Sequence, residues 1–302
     1  MTTRTMGPAA GWRWLLNAVN LGGGNPRAVL GGAVLLMLVA LVPTVVQLVV
    51  QNGLGIASVA ATIALLVLSL AYSLLVMGPL SAGYLRLLQA GETGAPTRAN
   101  AIFDIFNDRG TVARVIGVLV SLFAIVLVLM AAVMAVFGTE FFMQIAAVME
   151  VLENQSPDSA PALPPMPSGV GTLMGLAFIL GMFLNGAYAI AMGQVALGGR
   201  GVRQALGDGL LGALRNLLPL LVLSIVGTVL GFVVLLVFGV VIGVLMLVGS
   251  LVHPALGMLL AAPVYLAMMV ALYVVMFGIM YYIWRDVCGG QPDAGGAHEV
   301  AA

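Results

Sequence analysis

Residues 217–248 read LLPLLVLSIVGTVLGFVVLLVFGVVIGVLMLV, a run of 32 residues without one charged side chain. The hydrocarbon core of a bilayer is about 30 Å thick and is crossed by about 20 helical residues, so this run is long enough to span it. Backbone groups at that depth must be paired within the segment, which favours an α-helix over any open strand. As one helix the run would be about 48 Å long, so we expect it to tilt, bend or project from the membrane.

Five further runs have the same apolar character. The six predicted spans are 28–50, 56–77, 111–137, 171–195, 217–248 and 256–283. Across the chain 62% of the residues are hydrophobic and 7% are charged, whereas roughly 25% are charged in an average soluble domain. The sequence therefore predicts an all-α integral membrane protein with six transmembrane helices, in one domain that covers residues 28–285.

The distribution of charge between the spans predicts their orientation. All eleven basic residues are Arg, and all lie on the side of the membrane that holds both termini. The loops of the opposite side carry only acids, which are Glu140, Glu150, Glu153 and Asp158. Basic residues near span ends are retained in the cytoplasm, so we expect a multi-pass protein with cytoplasmic N- and C-termini.

The chain is organised as three helical-hairpin units, and each hairpin follows a short amphipathic stretch. The apolar residues of these stretches recur at helical spacing, which predicts short helices that lie in the membrane interface. They are Trp12, Leu15, Leu16 and Val19 in the first, Ile102, Ile105 and Phe106 in the second, and Val202, Leu206, Leu210 and Leu214 in the third. The first stretch belongs to a cytoplasmic N-terminal segment, residues 1–27.

Two segments outside the spans are predicted to lack a fold of their own. Residues 138–170 form the outer loop. Its first half is amphipathic and is expected to extend span three or to form its own helix, and its second half is a Pro-rich tether. A loop of this length is too short to fold as a separate domain. The Gly- and Ala-rich residues 286–302 are predicted to be a disordered cytoplasmic tail.

Several short patterns at the span ends resemble a known family. They are GWRWLL, NPRAVLGG, MGPLSAGYLRLLQAGE and IFDIF in the first half of the chain, and APVYL and YYIWRDV near its end. In this order they are similar to a bacterial family of uncharacterised six-span inner-membrane proteins, the BPSS-type transmembrane proteins. The resemblance implies a location in the bacterial inner (plasma) membrane, and it implies no particular activity or functional residue.

The chain carries no recognisable catalytic or metal-binding pattern. Cys288 is the sole cysteine, His253 lies in a turn beside a proline, and the pair Asp104 and Asp108 lacks the denser carboxylate run of lipid-forming transferases. The interiors of the spans also contain none of the carboxylate, His or Arg side chains that usually mark ion pathways. We therefore expect no enzyme, no cofactor and no metal; an enzyme that modifies lipids is the weaker alternative.

Two sets of residues remain as candidates for function. A polar set on the even-numbered spans could converge on an intramembrane pocket, or could simply bond between helices; it comprises Ser69, Tyr72, Ser73, Asn185, Tyr188 and Tyr273. A basic set at the inner face is expected to contact anionic lipid head groups; it comprises Arg109, Arg114, Arg203 and Arg215.

The favoured function is that of a non-enzymatic protein that organises the membrane or binds a partner. Its expected partners are the lipid bilayer, anionic lipid head groups and a membrane protein, with no nucleic acid. The alternative is a small-molecule permease that uses the polar pocket between spans two, four and six. The pairs Gly171 with Gly175, Gly227 with Gly231, and Gly239 with Gly243 are expected to form packing faces between helices.

Overall fold

The computed structural model describes residues 3–21, 24–56, 58–153 and 170–289, and these residues form an all-α fold. The helices are α1 (Ala9–Val19), α2 (Pro26–Ala40), α3 (Val42–Leu48), α4 (Val59–Tyr72), α5 (Gly78–Glu92), α6 (Arg109–Glu153), α7 (Val170–Ala196), α8 (Val202–Arg215), α9 (Leu217–Ser250) and α10 (Pro254–Cys288). A 3₁₀ helix, Ala99–Asn107, precedes α6. Most of the Pro-rich tether and of the predicted tail lies outside the described residues.

Six helical spans are long and apolar enough to cross a membrane, which makes the chain a multi-pass membrane protein. They are Pro26–Gly53, Val59–Glu92, Arg109–Gly138, Val170–Ala196, Leu217–Ser250 and Pro254–Cys288. Five of them match the predicted spans to within five residues at each end. Span two begins at Val59 rather than at residue 56, and it continues through α5 to Glu92, fifteen residues beyond its predicted end at residue 77. The amphipathic half of the outer loop continues span three as part of α6, and α10 continues to Cys288, into the beginning of the predicted tail.

The first two spans are interrupted where the sequence places proline. Span one breaks after Ala40, and Pro43 stands in the first turn of the following helix, where a missing N–H costs no helical hydrogen bond. Span two contains a π-helical turn, Ser73–Met77, directly before Gly78 and Pro79 at the beginning of α5. The wider turn accommodates a proline that cannot donate to the preceding carbonyl groups.

The C-terminal halves of the even-numbered spans form the centre of the bundle. Helices α5, α7 and α10 all contact one another. Each odd-numbered span packs into a groove between two of them: α2 between α5 and α10, α6 between α5 and α7, and α9 between α7 and α10. Among the described residues the odd-numbered spans do not contact each other, so the bundle is three hairpins around a three-helix centre.

The interfacial elements close this bundle in a ring. The 3₁₀ helix of unit two packs under the hairpin of unit one, α8 of unit three packs under the hairpin of unit two, and α1 of unit one packs under the hairpin of unit three. Each element therefore covers the hairpin before it, and the first covers the last. This end of the bundle also carries all eleven Arg residues, and we call it the basic end.

Helices α8 and α1 each bury one face against the bundle and leave large apolar side chains exposed at the rim. In α8 the buried residues are Ala205, Gly209, Gly212 and Ala213, while Leu214 is exposed. In α1 the face with Ala10, Trp14 and Ala18 is buried, and Trp12, Leu16 and Val19 are exposed. Close approach of the helix to the bundle explains the small residues, and an exposed apolar face is typical of a helix in the membrane interface.

The packed core lies in the basic half of the bundle. Tyr84 of α5 is fully buried and meets Phe277 of α10 edge to face, with their ring centroids 5.2 Å apart. Helix α4, which forms the opposite half of span two, has no buried residue. Side chains on that half are therefore available to lipid, which is consistent with the apolar composition of the spans.

Candidate lipid-head-group sites at the basic end

The three even-numbered spans share one register at the basic end. Each of these spans has a glycine at the same level and, eight residues later, a polar side chain that bonds to the next unit. For the third unit, the next unit is the first. The glycines are Gly78, Gly186 and Gly278, and the polar residues are Arg86, Gln194 and Asp286. Their partners are Asp108 (3.0 Å), Asp208 (2.5 Å) and Trp14 (2.9 Å). We call these contacts the three joints.

Arg86 makes the joint between units one and two. Its Nη2 donates to Asp108 Oδ2 and also to Thr111 Oγ1, and its Nε donates to the carbonyl of Ala196 on α7. Asp108 in turn accepts hydrogen bonds from the hydroxyl and the backbone N–H of Thr111. These bonds, first those from Thr111 and then that from Arg86, lower the pKa of Asp108 well below its usual value.

A second set of contacts fixes the chain just before each interfacial element. A side chain near the beginning of each odd-numbered span donates to a backbone carbonyl of that preceding segment. These bonds are Asn25 Nδ2 to Thr97 O (3.2 Å), Arg114 Nη1 to Gly199 O (2.7 Å) and Asn216 Nδ2 to Arg4 O (2.9 Å). Joints and backbone contacts together hold the three units in one ring.

A basic groove of about 530 Å³ opens on α8. It is lined by Arg200, Arg203, Gln204, Gly207, Asp208 and Leu211. One oxygen of Asp208 is held by Gln194, whose side chain is almost fully buried. Two arginines and one carboxylate line the groove, which leaves it with an excess of positive charge. We call it the α8 groove.

A second basic pocket, of about 320 Å³, lies between α1 and α10. It is lined by Arg4, Met6, Arg13, Asn17, Arg285 and Asp286. We call it the α1–α10 pocket. Like the α8 groove, it lies beside the end of an even-numbered span and the interfacial helix that covers that span.

The four arginines predicted to contact lipid have different environments. Arg203 lines the α8 groove, and Arg109 is exposed at the beginning of α6. Arg114 and Arg215 are engaged in bracing the fold: Arg114 donates to Gly199 O, and Arg215 Nη1 donates to the carbonyl and hydroxyl of Thr3. Arg109 and Arg203 are therefore better placed for a head group than the other two.

The polar residues predicted to share an intramembrane pocket make no hydrogen bond to one another in the described part of the chain. Tyr72 donates to the carbonyl of Val39 in span one (2.7 Å), and Asn185 donates to the carbonyl of Gly181 in its own helix (2.8 Å). Tyr273 stacks on Phe277 with centroids 6.3 Å apart. The remaining members are Ser69, Ser73 and Tyr188, of which Ser73 is exposed and the other two half-buried.

The position of α4 explains why these residues are separated. Among the described residues α4, which carries Ser69 and Tyr72, contacts α3 and the π-helical turn but neither α7 nor α10. The even-numbered spans do converge as expected, but they do so through α5, nearer the basic end. The permease hypothesis therefore gains no support from the contacts of these side chains.

An apolar groove of about 380 Å³ lies between the outer parts of α6 and α7. Its lining includes Val126, Met130, Phe137, Leu173 and Leu180, and every other lining residue is also apolar or glycine. Such a surface suits hydrocarbon rather than a polar solute.

The joints and basic pockets were missed by sequence reasoning, although the sequence does contain a signal for them. The spacing from glycine to the polar residue is the same in all three even-numbered spans, and it becomes visible when MGPLSAGYLR, NGAYAIAMGQ and FGIMYYIWRD are aligned on their glycine. Comparisons with protein-family models, curated proteins and solved structures found no match to this chain. Its function has to be inferred from the geometry of the basic end.

Proposed function

We propose that the protein is a non-enzymatic, membrane-organising component of a bacterial inner membrane that binds anionic phospholipid head groups at its cytoplasmic face. The α8 groove carries this proposal, because it sets Arg200 and Arg203 at one opening on an interfacial helix. Arg109 adds an exposed cation at the same end of the bundle.

The concentration of charge at one end of the bundle supports the proposed orientation. All eleven Arg residues lie at the basic end, and basic residues near span ends are retained in the cytoplasm. The cytoplasmic leaflet is also the one whose anionic lipids attract basic interfacial segments, by about 1 kcal/mol per cation. The two effects favour the same placement, with both termini inside.

The surroundings of the groove favour a head group over a soluble anion. Leu211 in its lining and Leu214 one turn further on are exposed apolar residues of α8, so the helix offers an apolar rim beside its cations. A phospholipid can satisfy both surfaces at once, because its phosphate meets the guanidinium groups while its acyl chains stay in the bilayer.

The test compares two double variants that remove the same charge. Arg200→Gln with Arg203→Gln empties the α8 groove of cations, whereas Arg27→Gln with Arg98→Gln removes two exposed arginines outside both basic pockets. In nanodiscs of phosphatidylglycerol and phosphatidylcholine, native mass spectrometry should show roughly 30-fold weaker phosphatidylglycerol binding at this groove in the first variant only, corresponding to about 1 kcal/mol per cation. Equal retention in both variants would overturn the proposal.

Orientation needs its own measurement, since arginines also direct insertion. In a Cys288→Ser background, single cysteines at Asn52 and Ala255 should react with an impermeant thiol reagent in intact cells. A cysteine at Gly201 should react only after the membrane is opened. Labelling of the Gly201 position in intact cells would place the basic end outside and contradict the proposed leaflet.

A further inference from the structure

We infer that the α1–α10 pocket is a second binding site, independent of the α8 groove, and that it takes the phosphate ester of a ligand at the membrane surface. Its lining includes the guanidinium groups of Arg4, Arg13 and Arg285 and the single carboxylate of Asp286. Three cations against one carboxylate leave an excess of two positive charges. The pocket volume of about 320 Å³ lies within the range of small-ligand sites.

The carboxylate of Asp286 is already committed to the fold. Its Oδ2 accepts a hydrogen bond from Trp14 Nε1 at 2.9 Å, and its Oδ1 accepts one from Arg285 Nε at 3.3 Å. Asp286 therefore offsets the charge of one arginine and leaves the other two uncompensated. Arg4 and Arg13 are exposed, and their side chains make no ion pair or hydrogen bond with other described residues.

Arg285 is held in position before any ligand arrives. Its guanidinium carbon lies 4.5 Å from the centroid of the Tyr282 ring, and its Nε is bound to Asp286. The guanidinium also lies beside the Tyr281 hydroxyl, and its remaining Nη donors are available to an anion. Fixing a donor in advance reduces the ordering cost of binding an anion.

The number and type of donors favour a phosphate ester over a carboxylate. Guanidinium groups bind phosphate oxygens through paired, planar N–H donors. Three such groups around one pocket offer more donors than the two oxygens of a carboxylate accept, whereas a phosphate presents oxygens in a tetrahedral arrangement. A phosphate ester therefore uses the donor set more completely.

The position of α1 favours a lipid as the source of that phosphate. Trp12, next to Arg13, is exposed together with Leu16 and Val19, and these residues recur on one face of the helix. Tryptophan is enriched at the membrane–water boundary. A lipid phosphate in the pocket can leave its acyl chains against this face. A soluble phosphate ester shares the recognition chemistry but gains nothing from the apolar face.

Arg4→Gln with Arg13→Gln isolates the pocket without dismantling the fold. The ring contacts of residue 4 use its backbone, whose N–H donates to Val287 O and whose carbonyl accepts from Asn216. Arg13 lies on the exposed side of α1. A Trp14→Phe variant separates the role of the joint from that of the pocket charges, because it removes the hydrogen bond to Asp286 and leaves all three arginines in place.

The experiment uses the purified full chain, titrated with a short-chain phosphatidylglycerol or with glycerol 3-phosphate and followed by native mass spectrometry. The unchanged chain should bind at two sites. Arg4→Gln with Arg13→Gln should lose one of them, with affinity there falling roughly tenfold or more, while Arg200→Gln with Arg203→Gln should lose the other. Failure of the α8 groove alone would thus leave the second site intact and separately visible.

The two ligands distinguish the sources of phosphate. Binding of the lipid at far lower concentration than glycerol 3-phosphate supports a head-group site, and equal binding of both supports a site for soluble phosphate esters. Loss of neither ligand in Arg4→Gln with Arg13→Gln overturns the inference. So does an equal loss in the Arg27→Gln with Arg98→Gln control, because that would mean that bulk charge alone is sensed.

Discussion

The tight contact between α8 and α7 makes a sharp prediction about two glycines of one helix. A Cβ atom added at Gly209 would lie 2.7 Å from the carbonyl oxygen of Ala187 and 3.0 Å from Cβ of Ala191. A Cβ added at Gly207, two residues earlier, would meet no heavy atom within 4 Å. The same substitution to alanine therefore has opposite consequences at the two positions.

The expected magnitudes follow from helix propensity and packing. Alanine is favoured over glycine inside a helix by about 1 kcal/mol, so Gly207→Ala should stabilise the protein by up to that amount. At Gly209 the same gain is opposed by overpacking, which typically costs about 1 to 3 kcal/mol. The oxygen that Cβ meets belongs to the backbone, so α8 would have to move by about 0.7 Å to restore ordinary contact. We expect the variants to differ by roughly 1 to 3 kcal/mol.

Thermal unfolding of the two variants in one detergent measures this difference directly. Gly207→Ala is the matched control, since it changes the same residue type on the same helix. The refuting result is a Gly209→Ala variant that unfolds at or above the temperature of Gly207→Ala. That outcome would mean that α8 does not pack on α7 as closely as described.

Three further perturbations test other parts of the ring and the polar set. Asp108→Asn should lower the stability of the protein at neutral pH and weaken the dependence of that stability on acid pH. A carboxylate whose folded pKa is lowered contributes stability above the ordinary Asp pKa of about 4 and loses it as the pH falls further. Identical curves of stability against pH for the variant and the unchanged protein would contradict the joint. Asn216→Ala should speed hydrogen exchange in the segment that contains Met6, because that segment is bound to the Asn216 side chain. Asn20→Ala loses only a local bond, to the carbonyl of Leu16, and should leave the exchange rate of this segment unchanged. Equal exchange rates in the two variants would refute the contact of Asn216 with the N-terminal segment. Asn185→Leu should cost at most about 2 kcal/mol and leave any solute-dependent thermal stabilisation unchanged, because its amide bonds to its own helix; loss of such stabilisation in a folded variant would revive the permease.

The spans and the three-unit order were predictable because lipid imposes a simple requirement on the sequence. A segment in hydrocarbon must be apolar and must pair its own backbone, and both conditions are visible in one run such as 217–248. Interruptions at Pro43 and Pro79 were harder to place, because a proline near a helix end is tolerated in several local geometries. The second interfacial element was predicted as a short helix, and it is a 3₁₀ helix with Ile102 and Ile105 buried one turn apart.

Helix packing was much less predictable from short motifs. A Cβ added at Gly171, Gly227 or Gly239 would meet no heavy atom within 4 Å, so these GxxxG glycines make no close helix contact in the described structure. The close approach occurs instead at Gly83, where an added Cβ would lie 2.1 Å from the carbonyl oxygen of Ile102. Spacing alone cannot distinguish the two cases, because small residues in a span also face lipid at little cost.

The candidate site was hard to predict because the arginines at the basic end have three different roles. Eleven arginines satisfy the topology rule equally well in sequence. Only their contacts separate Arg86, which forms a joint, from Arg215, which braces the N-terminal segment, and from Arg203, which lines a groove. A role in head-group binding is left to the cations that the fold does not already use.

Closure of the ring depends on its longest-range contacts. Two joints connect units that are consecutive in the chain, whereas the third unites Trp14 with Asp286, 272 positions apart, and Asn216 is bound to Arg4 across 212 positions. The entropy cost of closing a loop grows with its length, so these contacts are the most costly ones to form. The α1–α10 pocket is assembled from residues near both ends of the described chain, but all lining residues of the α8 groove lie between Arg200 and Leu211. The two basic sites therefore differ in what they require of the fold: α8 carries its own groove, whereas the second pocket exists only in a closed ring.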